Sequence, residues 1–480
     1  MTDVLPSDPA QARDPLGGWG SLPSTADRIA AGRALRARLP RAGQAELRVS
    51  ADRDPLAILA RQNGTRLQDL VPLRAERMSQ SAFAFYRGTA AIMAADLAAA
   101  PHTGAVVASC GDAHVSNFGF YASPQRTLVF DLNDFDEAGW APWEWDLKRL
   151  VASVVIAGRA SARDDLATGR AVRSAVRAYA RALRRAVGAS PTARYFSHLD
   201  AEAGLGAGSG AARMDEGSRK VLRAAIAHAR KRTGERAAKK LTRTDGTGRR
   251  RFVMSPPTMA PLTPAADARA RSYLREYLTT AEGDVQQLMR HYALADTARR
   301  VVGVGSVGTR CALVLLQDGD GNPLIMQSKE AGRSVLEEFG GIDQPIELQA
   351  HVARYGQGAR VVALQRILQA VSDPLLGHLR ADDADLYVRQ FHDMKGGIDA
   401  ELLDDEPFAV YAQACAVILA RAHSQSPSAA VASGYAGRGG ELGEALLEWG
   451  RAYADLSAAD YRAFCAASGT GEAISPSAAT

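Results

Sequence analysis

The sequence predicts an α+β protein of two lobes, a large helix-rich one and a small one built on an antiparallel sheet. Three observations lead there. Ala- and Arg-rich helical runs fill residues 23–290 and return at 396–468. Between them, residues 296–395 alternate short β-prone runs with glycine-rich turns. And a chain of 480 residues, 46% hydrophobic and 23% charged, is longer than one hydrophobic core normally serves.

Composition bounds the function. The four cysteines, Cys110, Cys311, Cys415 and Cys465, form no CxxC and no zinc spacing, which suits a reducing compartment. The opening MTDVLPSDPAQARDPLGGWG has acids and prolines where a signal peptide has an apolar core. No run of 18 uncharged apolar residues occurs. A cytoplasmic location and no membrane span are expected. The net charge is +5, but residues 213–251 hold 14 Lys or Arg against 4 Asp or Glu, a net of +10, so the rest of the chain is near −5. One basic segment of this kind is first of all a solvated face. Beyond that it suits an anionic substrate better than nucleic acid, since no aromatic series is interleaved with it.

Taken in order, residues 1–22 read as a disordered tail. Thr25 to Leu39 reads as an amphipathic helix, and Pro55 to Arg61 as a short helix opening on Asp54. In RAERMSQSAFAFYRGTAAIMAADLA, Arg74, Arg77 and Arg87 either cover apolar surface with their stems or face phosphates. Val106 to Cys110 and Leu128 to Phe130 are β-prone. Trp140, Trp143 and Trp145 read as wedges of a loop against the core rather than as a stacking platform. Asp146 to Ala160 is a helix with an apolar interior, and residues 161–190 form another. A Gly/Ala-rich loop is expected at 200–217. In the basic segment the first half reads as helical and the TDGTGRRR half as mobile. Helices follow at Ala268 to Tyr277 and Val285 to Arg290.

The chemistry concentrates between Cys110 and Asp146. GDAHVSN holds Asp112, His114 and Asn117, and DLNDFDE holds Asp131, Asp134, Asp136 and Glu137. Singly, such residues are ordinary turn formers and helix caps. Together they are sharper. Asp112 and Asn117 have the five-residue offset of a kinase catalytic loop, and Asp134 follows at a spacing that fits one β-hairpin. Asp112 would orient a hydroxyl, while Asn117 and Asp134 would hold magnesium.

The second informative stretch is VVGVGSVGTRCALVLLQDGDGNPLIMQSKEA, 301–331. Gly303, Gly305 and Gly308 make a turn that permits close approach to a phosphate, CALVLL is a strand, DGDGN a hairpin turn, and Lys329 ends the next strand. A dinucleotide fold would need a helix after the glycines, and a Walker loop would need GK[ST]; neither follows. Leu348 to Gln369 reads as helix with a break at Gly356 and Gly358. Glu347, at its start, is the first candidate to hold Lys329, with Glu337 and Glu338 nearer in sequence. LYVRQF is a strand ending at a hinge. Phe408 to Ser424 and Glu441 to Ala467 are helices, and 469–480 is a disordered tail.

A kinase runs glycine loop, lysine, helix, hinge, catalytic loop, metal Asp. Here the catalytic loop comes near 112 and the glycine loop near 303. The motifs are present in rotated order, as a circular permutation would leave them. A kinase-like fold, circularly permuted, is therefore expected, with 23–290 and 396–468 in the large lobe and 296–395 as the small one.

The stretches FAFYRGTAAIMAADLA, GDAHVSNFG, LVFDLNDFDE, PWEWDLKRL, VVGVGSVGTRC, SKEA and YVRQFHDMKG closely resemble the bacterial domain-of-unknown-function family 2252, over about residues 30–465. The short motifs also resemble those of aminoglycoside phosphotransferases and related small-molecule kinases. That resemblance implies Asp112 as catalytic Asp, His114 as the second histidine of the catalytic loop, Asn117 and Asp134 as metal ligands, and Asp146 as the Asp of the following helix. Within the catalytic group, His114 is expected to brace the loop by hydrogen bonding rather than serve as the base. Cys110 stands where that group has its first histidine. The implied activity is ATP- and Mg2+-dependent phosphoryl transfer to a small-molecule hydroxyl. A pseudokinase that binds nucleotide without turnover, a metal-dependent phosphohydrolase and a nucleotidyltransferase are the alternatives. The acceptor and the oligomeric state are not legible.

Overall fold

The computed structural model describes residues 22–198, 215–301, 303–381, 384–391 and 393–469. Nearly all of both expected disordered tails, and most of the loop expected at 200–217, lie outside them. The chain is α+β, with long helices and a small antiparallel sheet.

Four helices, Trp143–Ala160, Asp165–Val187, Asp405–His423 and Gly440–Ala467, pack on one another as the centre of the helical part. Their burial follows the helical period. In Asp165–Val187, Val172, Val176, Tyr179 and Leu183 are all buried while arginines fill the other face. Trp143 is fully buried and stacks on Tyr179, with ring centroids 5.8 Å apart, and Trp145 is buried near it. Both act as core wedges. The helix expected from Asp146 begins one turn earlier, after Pro142, so Asp146 lies inside its first turn. Asp54 caps the helix Pro55–Gly64 by accepting from the Ala57 amide, as its position before Pro55 predicts.

Three small antiparallel pairs carry or flank the loops: β1 (Val106–Ser109) with β4 (Gly139–Pro142), β2 (Phe118–Ala122) with β3 (Leu128–Leu132), and β5 (Thr242–Thr244) with β6 (Arg250–Phe252). The last pair corrects the mobile half expected for the basic segment. TDGTG is its turn, and Asp245 accepts from the Thr247 and Arg249 amides there.

The larger sheet is six-stranded, in the order β11 (Gly377–Arg380), β12 (Asp385–Gln390), β10 (Pro323–Glu330), β9 (Cys311–Gln317), β8 (Ala293–Arg300), β7 (Met259–Ala260). Its alternation is clean. Val314, Leu316, Met326, Leu386 and Val388 face one core with Tyr277, Val285 and Met289. Leu313, Leu315 and Ile325 face another with Ala238, Phe252 and Met259. The expected lobe boundary at residue 290 therefore moves. The helices Gly234–Leu241, Pro264–Thr280 and Gly283–Met289 cover the sheet, because an antiparallel sheet with two apolar faces needs a layer on each. Helical composition alone could not say which core they serve.

Candidate active site

The second face of the sheet changes character along its strands. On β10, Ile325 is followed on the same side by Gln327 and Lys329, both buried. On β12 their partners across the ladder are Arg389 and Tyr387. This polar half of the sheet meets the loops carried by the β2–β3 hairpin.

That hairpin brings the two acidic loops together. Phe118 pairs with Leu132, and one step further the Asn133 amide donates to the Asn117 carbonyl at 3.1 Å. Asn117, at the end of one loop, thus sits beside the start of the other. Its side chain donates to the Asp112 carbonyl at 2.8 Å, which closes the first loop and leaves its own amide oxygen as an acceptor. Gly111 makes the turn before Asp112 at φ 76°, and a Cβ there would lie 2.1 Å from the Glu137 carbonyl oxygen. The two loops therefore touch backbone to backbone.

Asp112 is anchored from the helix Trp143–Ala160. Arg149 Nε donates to its Oδ1 at 2.8 Å, and the guanidinium lies over the Tyr86 ring at 3.9 Å. Burial raises the Asp112 carboxyl above its usual range, and Arg149 opposes that rise. One turn earlier on the same helix, Asp146 accepts from the Cys110 and Gly111 amides at 2.8 and 3.0 Å. His423 Nε2 lies 3.2 Å from Asp146, and its Nδ1 pairs with the Tyr179 hydroxyl at 2.8 Å. The loop is thus held from behind by a buried chain of polar groups. His114 Nε2 lies 3.6 Å from Asp112, and burial with the nearby Arg149 and Arg87 keeps its imidazole neutral. Its Nδ1 is buried with no hydrogen-bond partner among the described residues, so the hydrogen bonding expected of a loop-bracing histidine is not seen.

In the second loop, Asp131 and Asp134 part company. Asp131 is buried and accepts from the Ala370 and Leu132 amides, both at 2.8 Å, so it ties the hairpin to the end of the helix Gln357–Leu368. Asp134 makes no ion pair among the described residues, and its one hydrogen bond, from the Asp136 amide, is long at 3.4 Å. Burial and the neighbouring Asp136 hold its carboxyl above the usual range. A carboxylate in that state suits a cation. No three His, Cys, Asp or Glu come together as a closed metal cage among the described residues. Magnesium keeps few protein ligands and takes the rest from water and phosphates, so it does not require such a cage, and the oxygens of Asn117 and Asp134 are of the type it takes.

Lys329 comes to this loop. Its ammonium lies 2.5 Å from Asp136, which also accepts from the Tyr387 hydroxyl at 2.6 Å. Burial works against charge on both members, yet their mutual attraction wins: Asp136 is held below and Lys329 above the ordinary values. This corrects the expected partner. Glu347 is exposed at the start of the helix Ile346–Tyr355. Glu337 and Glu338 bind Arg333 and Arg61. The helix Gln357–Leu368 instead presents Arg360, buried and bonded to the carbonyls of Asp136, Ala138 and Gly332. It grips the acidic loop by its backbone.

The glycine turn joins β8 to β9 at the end of the sheet where Cys311 lies opposite Lys329. Gly303 and Gly308 have φ 69° and 91°. Arg77 donates to the Gly303 carbonyl at 2.7 Å and the Leu67 amide to the Gly308 carbonyl at 2.7 Å, while Gly305 lies against the Arg87 carbonyl. Of the three arginines considered for phosphate, Arg77 is thus committed to this turn. Arg74 is buried and bonded to Asn63. Arg87 has a buried Nε with no hydrogen-bond partner, and its charge acts on Asp112 and His114.

Sequence reasoning named Asp136 in its loop but not as the partner of Lys329, and missed Arg149, Arg360, Tyr387 and His423. Arg149 was within reach, since Asp146 and Arg149 are three apart on one helix face, the face that meets the first loop. The others become partners only through contacts far apart in the chain.

No helix of the described residues is long and apolar enough to cross a membrane. No curated protein and no solved structure matches this chain. A family model described as an uncharacterized protein conserved in bacteria matches residues 66–467. With a match over that much of its length, the chain belongs to the DUF2252 family.

Proposed function

We propose that this protein is an ATP- and Mg2+-dependent phosphotransferase acting on a hydroxyl of a small molecule. The observation that carries the reading is the meeting of Lys329 with the acidic loop, 193 residues away in sequence, beside the loop that holds Asp112 and Asn117. Catalytic carboxylate, open metal pair and phosphate-reaching lysine then share one site. The order of elements around Lys329 supports a kinase-like small lobe: glycine turn, lysine strand, helices, two strands, then a linker. The catalytic loop precedes all of them in the chain, which supports the permuted reading.

In this mechanism Asp112 Oδ2, left over from the Arg149 bond to Oδ1, orients the acceptor hydroxyl and takes its proton. Asn117 and Asp134 would hold magnesium, which would supply charge neutralisation at the phosphates. Lys329 turns from Asp136 toward the phosphates, and the glycine turn lets the backbone come close to them. A nucleotide-binding module without turnover is the second reading, favoured by the closed pair of Lys329 and Asp136.

The test is calorimetric titration of a non-hydrolysable ATP analogue with magnesium into the wild type, K329A and D134A. Micromolar binding that falls in both variants supports one nucleotide site. Absence of binding in the wild type would sink the proposal. D112A should then bind the analogue and lose transfer; full transfer in D112A would remove Asp112 from its role.

A further inference from the structure

Beside Asn133, between the hairpin of β2 and β3, the end of β12 and the segment after it, lies a cavity of about 480 Å³. Its polar lining includes Asn133, Gln327, Gln369, Arg389 and Lys395, with Phe120 among its apolar walls. Two of these groups are cations, and neither has an ion-pair partner among the described residues. Arg389 donates from Nε to the Gln327 side chain at 3.1 Å, a neutral acceptor. Lys395 donates no hydrogen bond among the described residues. Burial, with the like charge of Arg389, pulls its ammonium down to about 8.

Two acids, Asp373 and Asp393, line the cavity with them. Asp373 accepts from the Gln390 and Leu375 amides at 2.6 and 2.8 Å, and Asp393 pairs with Arg126 through Oδ2 while its buried Oδ1 has no hydrogen-bond partner among the described residues. Asp136 is held by Lys329. Asp134 and Asp136 act on both cations from a distance; with Tyr387 they keep Arg389 charged despite its burial, whereas Lys395 is still pulled down. Two like charges drawn partly out of water, with no carboxylate in ion-pair contact among the described residues, are costly, and a ligand of opposite sign is the ordinary compensation.

We propose that this cavity binds an anionic small molecule, one carrying a phosphate or carboxylate group held jointly by Arg389 and Lys395. The side-chain amides around them supply hydrogen bonds for its remaining polar atoms, and Phe120 supplies an apolar wall. This goes beyond the phosphotransferase reading and does not rest on it.

The experiment is thermal melting and calorimetric titration of the full chain with inorganic phosphate, pyrophosphate and citrate, each against sodium chloride of equal ionic strength. The proteins are wild type, R389Q, K395M and K329M. At least one anion should raise the wild-type midpoint saturably, and R389Q and K395M should each weaken its binding by about tenfold or more. K329M should retain binding with a smaller loss than either variant, the loss coming from the freed Asp136 charge that acts on both cations. Phosphate and pyrophosphate acting without citrate identifies a phosphorylated ligand; the reverse identifies a carboxylate. K395M without anion should melt no lower than wild type, because it removes an unpaired cation. The proposal is overturned if no anion acts beyond chloride, if binding survives both R389Q and K395M, if K329M abolishes it, or if K395M unfolds the protein. The nucleotide titration described above fails or succeeds separately, so the two readings can be told apart.

Discussion

The Lys329 ammonium sits 2.5 Å from the Asp136 carboxylate, and this contact joins the sheet to the acidic loop of the helical part. Asp136 stands two residues from Asp134, so the lysine and the candidate metal carboxylate share one short loop. Nucleotide binding at this site would have to divide the lysine between Asp136 and phosphate.

Breaking a buried pair on one side leaves the other charge unbalanced. K329M and D136N should each lower the unfolding free energy by about 3 kcal/mol, and the double variant by clearly less than the sum. Urea unfolding of the four proteins checks this. Strict additivity would show that the contact does not couple the two groups.

The anchoring of the first loop by Asp146 is open to hydrogen exchange. D146N keeps one acceptor oxygen but presents an amide donor to the Cys110 or Gly111 N–H. It should destabilise the protein by about 2 kcal/mol and speed exchange at those two amides ahead of the rest of the core. Unchanged protection at Cys110 and Gly111 would mean that other contacts hold the loop.

Glu137 yields a pH prediction. Burial raises its carboxyl to about 7, although the Val335 amide donates to it at 3.0 Å and Arg360 is near. In the unfolded chain it ionises near 4.5. Between these values the folded state binds more protons, so this group's contribution to stability falls as pH rises from 4.5 toward 7 and the penalty is complete above that. E137Q keeps the acceptor and should flatten the slope, gaining up to about 3 kcal/mol at pH 8 relative to pH 5. Parallel denaturation curves at both pH values would refute this.

Two glycines separate strain from collision. Gly111 and Gly248 have φ 76° and 84°, but only the first faces backbone where a side chain would go. G248A should cost about 1 kcal/mol, the left-handed penalty alone. G111A must in addition push the two acidic loops apart, so its loss should exceed that of G248A by about 2 kcal/mol or more, and magnesium-nucleotide binding should weaken with it. Equal melting points for the two variants would show that the loops do not need this approach.

Much of this arrangement was legible in the chain, where the deciding forces are local. The offset of Asp112 and Asn117, the β-prone run before Asp134, the glycine turn before CALVLL and the Asp54–Pro55 helix start each depend on neighbours a few residues apart. Turn, cap and alternation preferences act at that range. Tertiary structure decided the rest. It chose Asp136 over Glu347 for Lys329, gave Asp131 to the Ala370 amide, and drew His423 behind Asp146. It moved the helices before residue 290 onto the sheet and set Arg389 beside Lys395 at one cavity. The physical reason is the same in each case. A carboxylate, a cation or an apolar helix face is satisfied by whichever partner the packing brings near, and many residues of the right type compete for that place along the chain.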